Sequence, residues 1–160
     1  MRFLLGLLII STSCYSFKGI SIDPEIKYFS IENIEDQSGS APANYPIDFE
    51  LALSNKIRRE SRLVLNKKTP DLKFKCTVAQ YNVASSAPVE GRANAINRLT
   101  VTLNVECLNL LNEKNNWTKS FSRYEDFDAN QSLSEVQFKL LEKINKLLLD
   151  DIFNAAFSNW

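Results

Sequence analysis

The chain has 160 residues with 19 basic and 19 acidic side chains, so its formal net charge at pH 7 is zero. A balanced charge gives no overall attraction to nucleic acid, and we expect no nucleic-acid partner. The chain contains no histidine, which excludes Ser-His-Asp and Cys-His catalysis and removes the commonest metal ligand. Few enzymes of this size lack histidine, so we predict that the chain is not an enzyme and holds no metal and no cofactor.

The N-terminal residues are typical of a secretory signal. Arg2 supplies a positive charge, residues 3–10 are apolar, and residues 11–13 are small. Cys14 follows directly, which predicts a lipoprotein signal at residues 1–13 and a covalent lipid on the Cys14 thiol. Eight apolar residues are too few for a membrane-spanning helix, which needs about 20. The alternative is an ordinary signal peptide with an incidental cysteine. After it we expect a lipidated tether at residues 14–25 and one domain at residues 26–160.

The first half of the predicted domain contains one strand and one helix. Residues 26–35 are rich in β-branched and aromatic types, which favours a strand. A Gly- and Pro-containing loop follows at residues 36–46. Residues 46–61 are predicted to be helical because Phe49, Leu53 and Ile57 recur at every fourth position. Residues 63–65 then form a short extended piece before a turn.

The second half contains three strands and a helix. Residues 71–83 and 98–108 alternate apolar and polar types, which predicts two strands joined by a tip of small residues at 84–97. A further strand is predicted at residues 117–127. Ser132 and Glu135 have the spacing of a capping box at the start of the last helix. Its apolar residues recur at helical spacing, at Leu133, Val136, Leu140, Leu141, Ile144, Leu147, Leu148 and Ile152.

This order of elements, β-α-β-β-β-α, favours an α+β fold. Each helix has one apolar stripe and each long strand one apolar face, so the economical arrangement is a two-layer sandwich. Both helices would pack on one face of a four-stranded mixed sheet. The first helix would connect the first strand to a parallel partner, and the strands around residues 76 and 107 would form an antiparallel hairpin.

Two cysteines remain after Cys14. Cys76 and Cys107 both fall on the predicted apolar faces of their strands. If the hairpin places them nearly opposite each other, a disulfide could join them in an oxidising compartment. The alternative is two buried free thiols, which behave as small apolar side chains.

Four stretches, in this order, resemble the LptE family of lipopolysaccharide-assembly lipoproteins. They are residues 15–22 after the lipid cysteine, residues 97–105 (Asn-Arg-Leu-Thr-Val-Thr-Leu-Asn-Val), residues 120–127 (Ser-Phe-Ser-Arg-Tyr-Glu-Asp-Phe) and residues 150–160. The resemblance implies a lipid-anchored outer-membrane protein on the periplasmic side, seated in the lumen of an LptD-type β-barrel. It would plug and help to assemble that barrel and assist the transport of lipopolysaccharide to the outer leaflet. The implied fold is the same two-layer sandwich.

The resemblance also directs attention to basic residues at the hairpin tip. Family members contact lipopolysaccharide there, which makes Arg92 and Arg98 candidate contacts for lipopolysaccharide or the barrel; the family implies no catalytic residues. Another basic cluster either complements a helix C-terminus or meets an anionic partner. Its members are Lys56, Arg58, Arg59, Arg62, Lys67, Lys68, Lys73 and Lys75.

Two further groups carry weaker hypotheses. Glu125, Asp126 and Asp128 cluster like cation ligands but lack EF-hand spacing, so no metal site is predicted. Three aromatic residues on the last strand could frame an acyl-chain groove or pack in the core. They are Phe121, Tyr124 and Phe127.

Two other functions remain open at this point. One is a periplasmic lipoprotein that serves a different secretion or envelope-assembly complex, because it would share the anchor and the fold. The other is a small lipid-anchored hydrolase. The absence of histidine and of a Gly-x-Ser-x-Gly motif argues against the hydrolase.

Overall fold

The computed structural model describes residues 22–86 and 95–158. Within these ranges the chain forms two α-helices, Tyr45–Ser61 (α1) and Leu133–Phe157 (α2). The six strands are Tyr28–Ile31 (β1), Glu35–Asp36 (β2), Val64–Leu65 (β3), Leu72–Ser86 (β4), Ile96–Asn109 (β5) and Trp117–Asp128 (β6). A short 3₁₀ turn, Glu113–Asn115, precedes β6. The predicted α+β class is confirmed.

One mixed sheet contains all six strands. Its order is β3-β1-β4-β5-β6, and β2 pairs with β4 beyond the end of β1. The β1 strand is parallel to both β3 and β4, so the predicted parallel connection through the first helix is confirmed. The β4–β5 and β5–β6 pairs are antiparallel. The three long strands therefore form an antiparallel meander that dominates the sheet.

The strand count differs from the predicted four because two short segments also pair. The strand predicted at residues 26–35 divides into β1 and β2, whose partners on β4 move from Phe74 to Thr77. The extended piece at residues 63–65 pairs with β1 as β3. This strand is short because the Asn66 side chain accepts hydrogen bonds from the backbone N–H groups of Lys68 and Thr69, which turns the chain.

The α1 helix buries one stripe. Tyr45, Phe49, Leu53 and Ile57 are at most 3 % exposed and recur at every fourth position. Pro46 lies in the first turn, where its missing N–H group is tolerated. The helix ends at Ser61, and the next residue, Arg62, caps it with a left-handed φ of 63°. The predicted helix is confirmed to within one residue.

The α2 helix buries a narrower stripe than the sequence predicts. The backbone N–H of Ser132 donates to Glu135 Oε2 at 3.0 Å, which stabilises the first turn. Leu140, Ile144 and Leu148 are buried, whereas Leu147 is 41 % exposed. No helix in the described ranges is long and apolar enough to cross a membrane.

Both helices cover the same face of the sheet, which we call the covered face. Phe157 of α2 contacts Phe74 of β4 with ring centroids 6.3 Å apart. Between the helices, the hydroxyl of Tyr45 donates to Asn145 Oδ1 at 2.8 Å. Two ion pairs tie α2 to the edge strand β6, Arg123–Asp151 and Lys143–Glu125. The core therefore lies between the helices and one side of the meander.

Candidate interaction surface

The opposite side of the meander, which we call the open face, is lined by uncharged polar side chains. No described element covers it, and its side chains are exposed or partly exposed. The strand register arranges nine of them in three rows. The rows are Thr77–Asn104–Ser120, Gln80–Thr102–Ser122 and Asn82–Thr100–Tyr124.

Hydrogen bonds between these side chains hold the middle of the open face in place. The Thr102 hydroxyl lies 3.2 Å from Gln80 Oε1 and 2.9 Å from the Ser122 hydroxyl. The Gln80 amide donates to Asn82 Oδ1 at 3.2 Å. Neighbours therefore orient these groups, but their exposure leaves capacity for further hydrogen bonds. The surface is preorganised for a polar partner.

Ion pairs within the molecule flank the polar rows. At one end Arg98 donates to both carboxylate oxygens of Asp126, at 2.7 and 3.0 Å. The Arg98 guanidinium also lies 3.7 Å from the ring centroid of Tyr124. At the other end Lys75 pairs with Glu106 at 3.5 Å. Because these charges are balanced pairwise, the open face presents hydrogen-bonding groups rather than a strong charge.

A family model described as "LptE: Lipopolysaccharide-assembly" matches residues 26–156, most of the chain. The chain belongs to the LptE family. A search of curated proteins finds no match.

Solved structures support the same fold for this LptE-family chain. A minor lipoprotein from Acinetobacter baumannii aligns with a TM-score of 0.53 at 13% identity, covering 81% of this chain and 91% of that one. A putative neuraminyllactose-binding hemagglutinin homolog from Helicobacter pylori aligns with a TM-score of 0.52 at 15% identity, covering 90% of each chain. The hypothetical protein CT253 from Chlamydia trachomatis gives 0.50 at 7% identity, covering 84% and 99%. At these identities the likeness shows the fold alone.

The candidate contact residues fall in different parts of the LptE-family chain. Cys14 and Arg92 lie outside the described residues. Arg98 lies on the open face near the start of β5, and the hydrogen bond to Asp126 raises the pKa of its guanidinium. Because two of its nitrogens already donate to a carboxylate, Arg98 is less available to a phosphate than a free arginine. Its predicted contact role stays a prediction.

The two candidate disulfide residues lie on neighbouring strands but not opposite each other. Cys76 pairs with Val105, and Cys107 pairs with Phe74, which places the two cysteines on a diagonal. Both are buried free thiols in the structure. Burial raises the pKa of each thiol from 9.0 to about 12, which suppresses the reactive thiolate. A disulfide between them stays a prediction.

The basic cluster predicted around the first helix separates into two groups. Lys56 pairs with Glu60 and Asp150, and three further lysines pair with glutamates. Those three are Lys67 with Glu50, Lys73 with Glu32 and Lys75 with Glu106. In the described ranges, four exposed members have no carboxylate within ion-pairing distance. They are Arg58, Arg59, Arg62 and Lys68.

The acidic and aromatic groups of β6 divide between the two faces of the sheet. Glu125 pairs with Lys143 on the covered face, whereas Asp126 pairs with Arg98 on the open face. The described residues contain no group of His, Cys, Asp or Glu that could hold a metal ion. Phe121 packs against Trp117 and the core, and Phe127 is buried in the core, while Tyr124 lies on the open face. These aromatic side chains therefore do not share a groove.

Proposed function

We propose that this protein is an outer-membrane lipoprotein, acylated at Cys14, that occupies the lumen of an LptD-type β-barrel and helps to assemble it. In that position it assists the transport of lipopolysaccharide to the outer leaflet, with Arg92 and Arg98 as candidate contacts. Membership of the lipopolysaccharide-assembly family supports the general role. The observation that carries the specific role is the open face, with its three rows of uncharged polar side chains.

The open face and the interior of an outer-membrane barrel match in polarity. The interior of an outer-membrane barrel is polar, so a protein seated in it exchanges hydrogen bonds with water for hydrogen bonds with the wall. Hydroxyl and amide groups make this exchange at a small desolvation cost, whereas unpaired charges would not. The charged residues at the two ends of the open face are already paired, as Arg98–Asp126 and Lys75–Glu106. They therefore place no unpaired charge against the barrel wall.

The proposed role is binding rather than catalysis. The chain contains no histidine, and the high pKa of the two buried thiols disfavours a cysteine nucleophile at neutral pH. The described residues thus offer hydrogen-bonding groups, but no activated nucleophile with a neighbouring base.

Affinity purification of the full-length, C-terminally tagged lipoprotein from detergent-solubilised outer membranes tests the proposal. We expect a large β-barrel of the LptD type in near-stoichiometric amount, identified by mass spectrometry. Recovery with an unrelated secretion machine, or with no partner, would contradict the proposal and favour the alternative of a different envelope complex.

A pair of variants tests whether the open face makes the contact. Asn104→Lys with Ser122→Lys puts two unpaired charges on exposed positions of the open face, and we expect at least about tenfold less barrel recovery, since 1.4 kcal/mol corresponds to tenfold. The matched control, Asn55→Lys with Asn154→Lys, adds the same charges at exposed positions of the two helices. Equal barrel recovery with both double variants would show that the open face is not the contact.

A further inference from the structure

Exposed apolar side chains lie in a row across one end of the sheet, which we call the tether end. They are Tyr28, Val64, Leu65, Leu110 and Leu111, each 39 to 57% exposed. Backbone hydrogen bonds connect the row, because Tyr28 pairs with Val64, Asp71 donates to the Tyr28 carbonyl and Leu110 donates to the Asp71 carbonyl. Four chain segments at about 4.8 Å spacing make a row about 14 Å wide.

Local hydrogen bonds hold the two leucines of this row in position. Asn109 Oδ1 accepts from the backbone N–H groups of Leu111 and Asn112, at 3.0 and 2.8 Å. The backbone N–H of Asn109 donates to Asn116 Oδ1 at 2.6 Å. The turn that carries the leucines is therefore well ordered, yet each leaves 52% of its surface in water. Their exposure adds nothing to the core, so a contact outside the domain accounts better for it.

Basic side chains adjoin the apolar row. Arg58, Arg59 and Arg62 lie at the end of α1, directly before β3 of the row. They are exposed and, among the described residues, have no carboxylate within ion-pairing distance. The tether end also has acidic residues, but Asp71 accepts two backbone N–H groups, from Lys27 and Tyr28 at 2.8 Å each. Glu60, which lies between Arg59 and Ser61, pairs with Lys56 at 2.9 Å.

The described chain begins at this end of the sheet, which limits the distance between the tether end and the proposed lipid. Residue 22, where the described chain begins, lies eight residues after Cys14, a distance that a fully extended chain spans in at most about 29 Å. Ile22 and Ile26 pack against the core, and Lys27 contacts β3 because its carbonyl accepts from the Val64 N–H. The tether end is thus the part of the sheet at which the lipidated segment arrives.

We infer that, before the domain enters the barrel, the tether end docks on the anionic headgroup surface of the phospholipid leaflet that holds the Cys14 lipid. The apolar row enters the boundary between headgroups and acyl chains, and Arg58, Arg59 and Arg62 contact the phosphates. This inference rests on the proposed acylation of Cys14. Because the acyl chains already retain the protein, the docking sets the orientation of the domain rather than its membrane affinity.

Site-specific fluorescence on the acylated protein tests the docking. An environment-sensitive fluorophore is attached at Leu111→Cys, or at Asn130→Cys at the opposite end of the sheet. The buried Cys76 and Cys107 react slowly. In vesicles of phosphatidylethanolamine and phosphatidylglycerol we expect several-fold weaker iodide quenching at position 111 than in detergent, and no change at position 130. Vesicles of phosphatidylcholine alone should protect position 111 less. Equal quenching at the two positions in anionic vesicles would overturn the inference.

Two charge variants test the phosphate contacts. Arg58→Gln with Arg59→Gln should remove most of the protection at position 111, whereas the matched Lys139→Gln with Lys146→Gln on α2 should retain it. Protection that survives both double variants equally would contradict the arginine–phosphate contact. The intact mass of each sample distinguishes a failure of the docking from a failure of the lipid anchor. Acylated protein without protection overturns the docking and leaves the proposed function standing, while a missing acyl mass overturns the anchor and the docking together.

Discussion

The two faces of β5 differ in whether their side chains are buried or exposed to solvent. On the covered face Leu99, Val101, Leu103 and Val105 are completely buried. On the open face the intervening Thr100, Thr102 and Asn104 are exposed or partly exposed, and the Thr102 hydroxyl forms hydrogen bonds with both neighbouring strands. Alternate residues of the same segment therefore serve different ends. The covered residues stabilise the domain, and the open ones are free to be selected for what the domain contacts.

The sharpest test of this comparison uses two adjacent residues. Leu103→Ala should lower the free energy of unfolding by about 2–5 kcal/mol, because it leaves a cavity under the helices. Thr102→Ala removes two exposed side-chain hydrogen bonds, and we expect a loss below about 0.5 kcal/mol. Urea denaturation of both variants measures the difference. Similar losses would mean that the open face also stabilises the domain, and the separation of the two faces would be wrong.

The thiols of the covered face provide a second test, through pH. Burial holds the pKa of Cys76 and Cys107 at about 12, against 9.0 in the unfolded chain. Above pH 9 the unfolded thiols ionise while the native thiols keep their protons, so the native state binds more protons and stability falls as the pH rises. At pH 10 the expected loss is about 1.4 kcal/mol per thiol. Below about pH 8, a unit under the unfolded pKa, the thiols contribute almost no pH dependence.

The control for this prediction replaces both thiols by a similar apolar side chain. Cys76→Val with Cys107→Val should flatten the fall in unfolding free energy between pH 8 and pH 10, measured under reducing conditions. A smaller slope should remain, because burial also raises the pKa of Tyr45 and Tyr81. An unchanged slope in the double variant would show that the two thiols do not have the raised pKa expected from their burial on the covered face.

Local patterns were sufficient to predict most of the fold. The alternation at residues 71–83 and 98–108 and the helical spacing in α1 and α2 predict those elements closely, since each pattern lies within one segment. The short strands β2 and β3 depend on partners distant in sequence, and two residues carry too little pattern to identify them. The sequence pattern also does not predict the shift in strand register in β4 between Val78 and Gln80. This shift moves Tyr81 onto the covered face, out of strict alternation.

The candidate surface was harder to predict because its partners lie far apart in the chain. Arg98 and Asp126 are 28 residues apart, and only the β5–β6 register brings them together. The basic cluster is continuous in sequence, but Lys56 pairs with Asp150 of the other helix, 2.7 Å away. Among the described residues, the members without a carboxylate within ion-pairing distance are Arg58, Arg59 and Arg62 at the end of α1 and Lys68 in the turn after β3. In the sequence alone, uncharged polar residues at alternate positions of three strands indicate a polar surface. Their arrangement in rows across the sheet can be derived only when the strand register is known.

The smallest predicted effect concerns Arg62, because its left-handed backbone conformation is unfavourable for a residue with a side chain. Arg62 ends α1 with φ 63° and ψ 6°, a conformation that glycine adopts without strain between its side chain and backbone. Arg62→Gly should therefore raise the free energy of unfolding by about 0.5–1 kcal/mol, even after the greater flexibility of glycine in the unfolded chain is counted. Arg59→Gly, in the last turn of the same helix, should lower it by up to about 1 kcal/mol. Urea denaturation of both variants measures the contrast.

If Arg62→Gly destabilises as much as Arg59→Gly, the Arg62 side chain supports the domain itself, and its exposure is no sign of an external contact. If Arg62→Gly stabilises the domain, the native protein tolerates backbone strain at Arg62 and keeps a cation at the tether end. Arg62 is then retained for a contact rather than for stability, as are the exposed residues on the open face of β5.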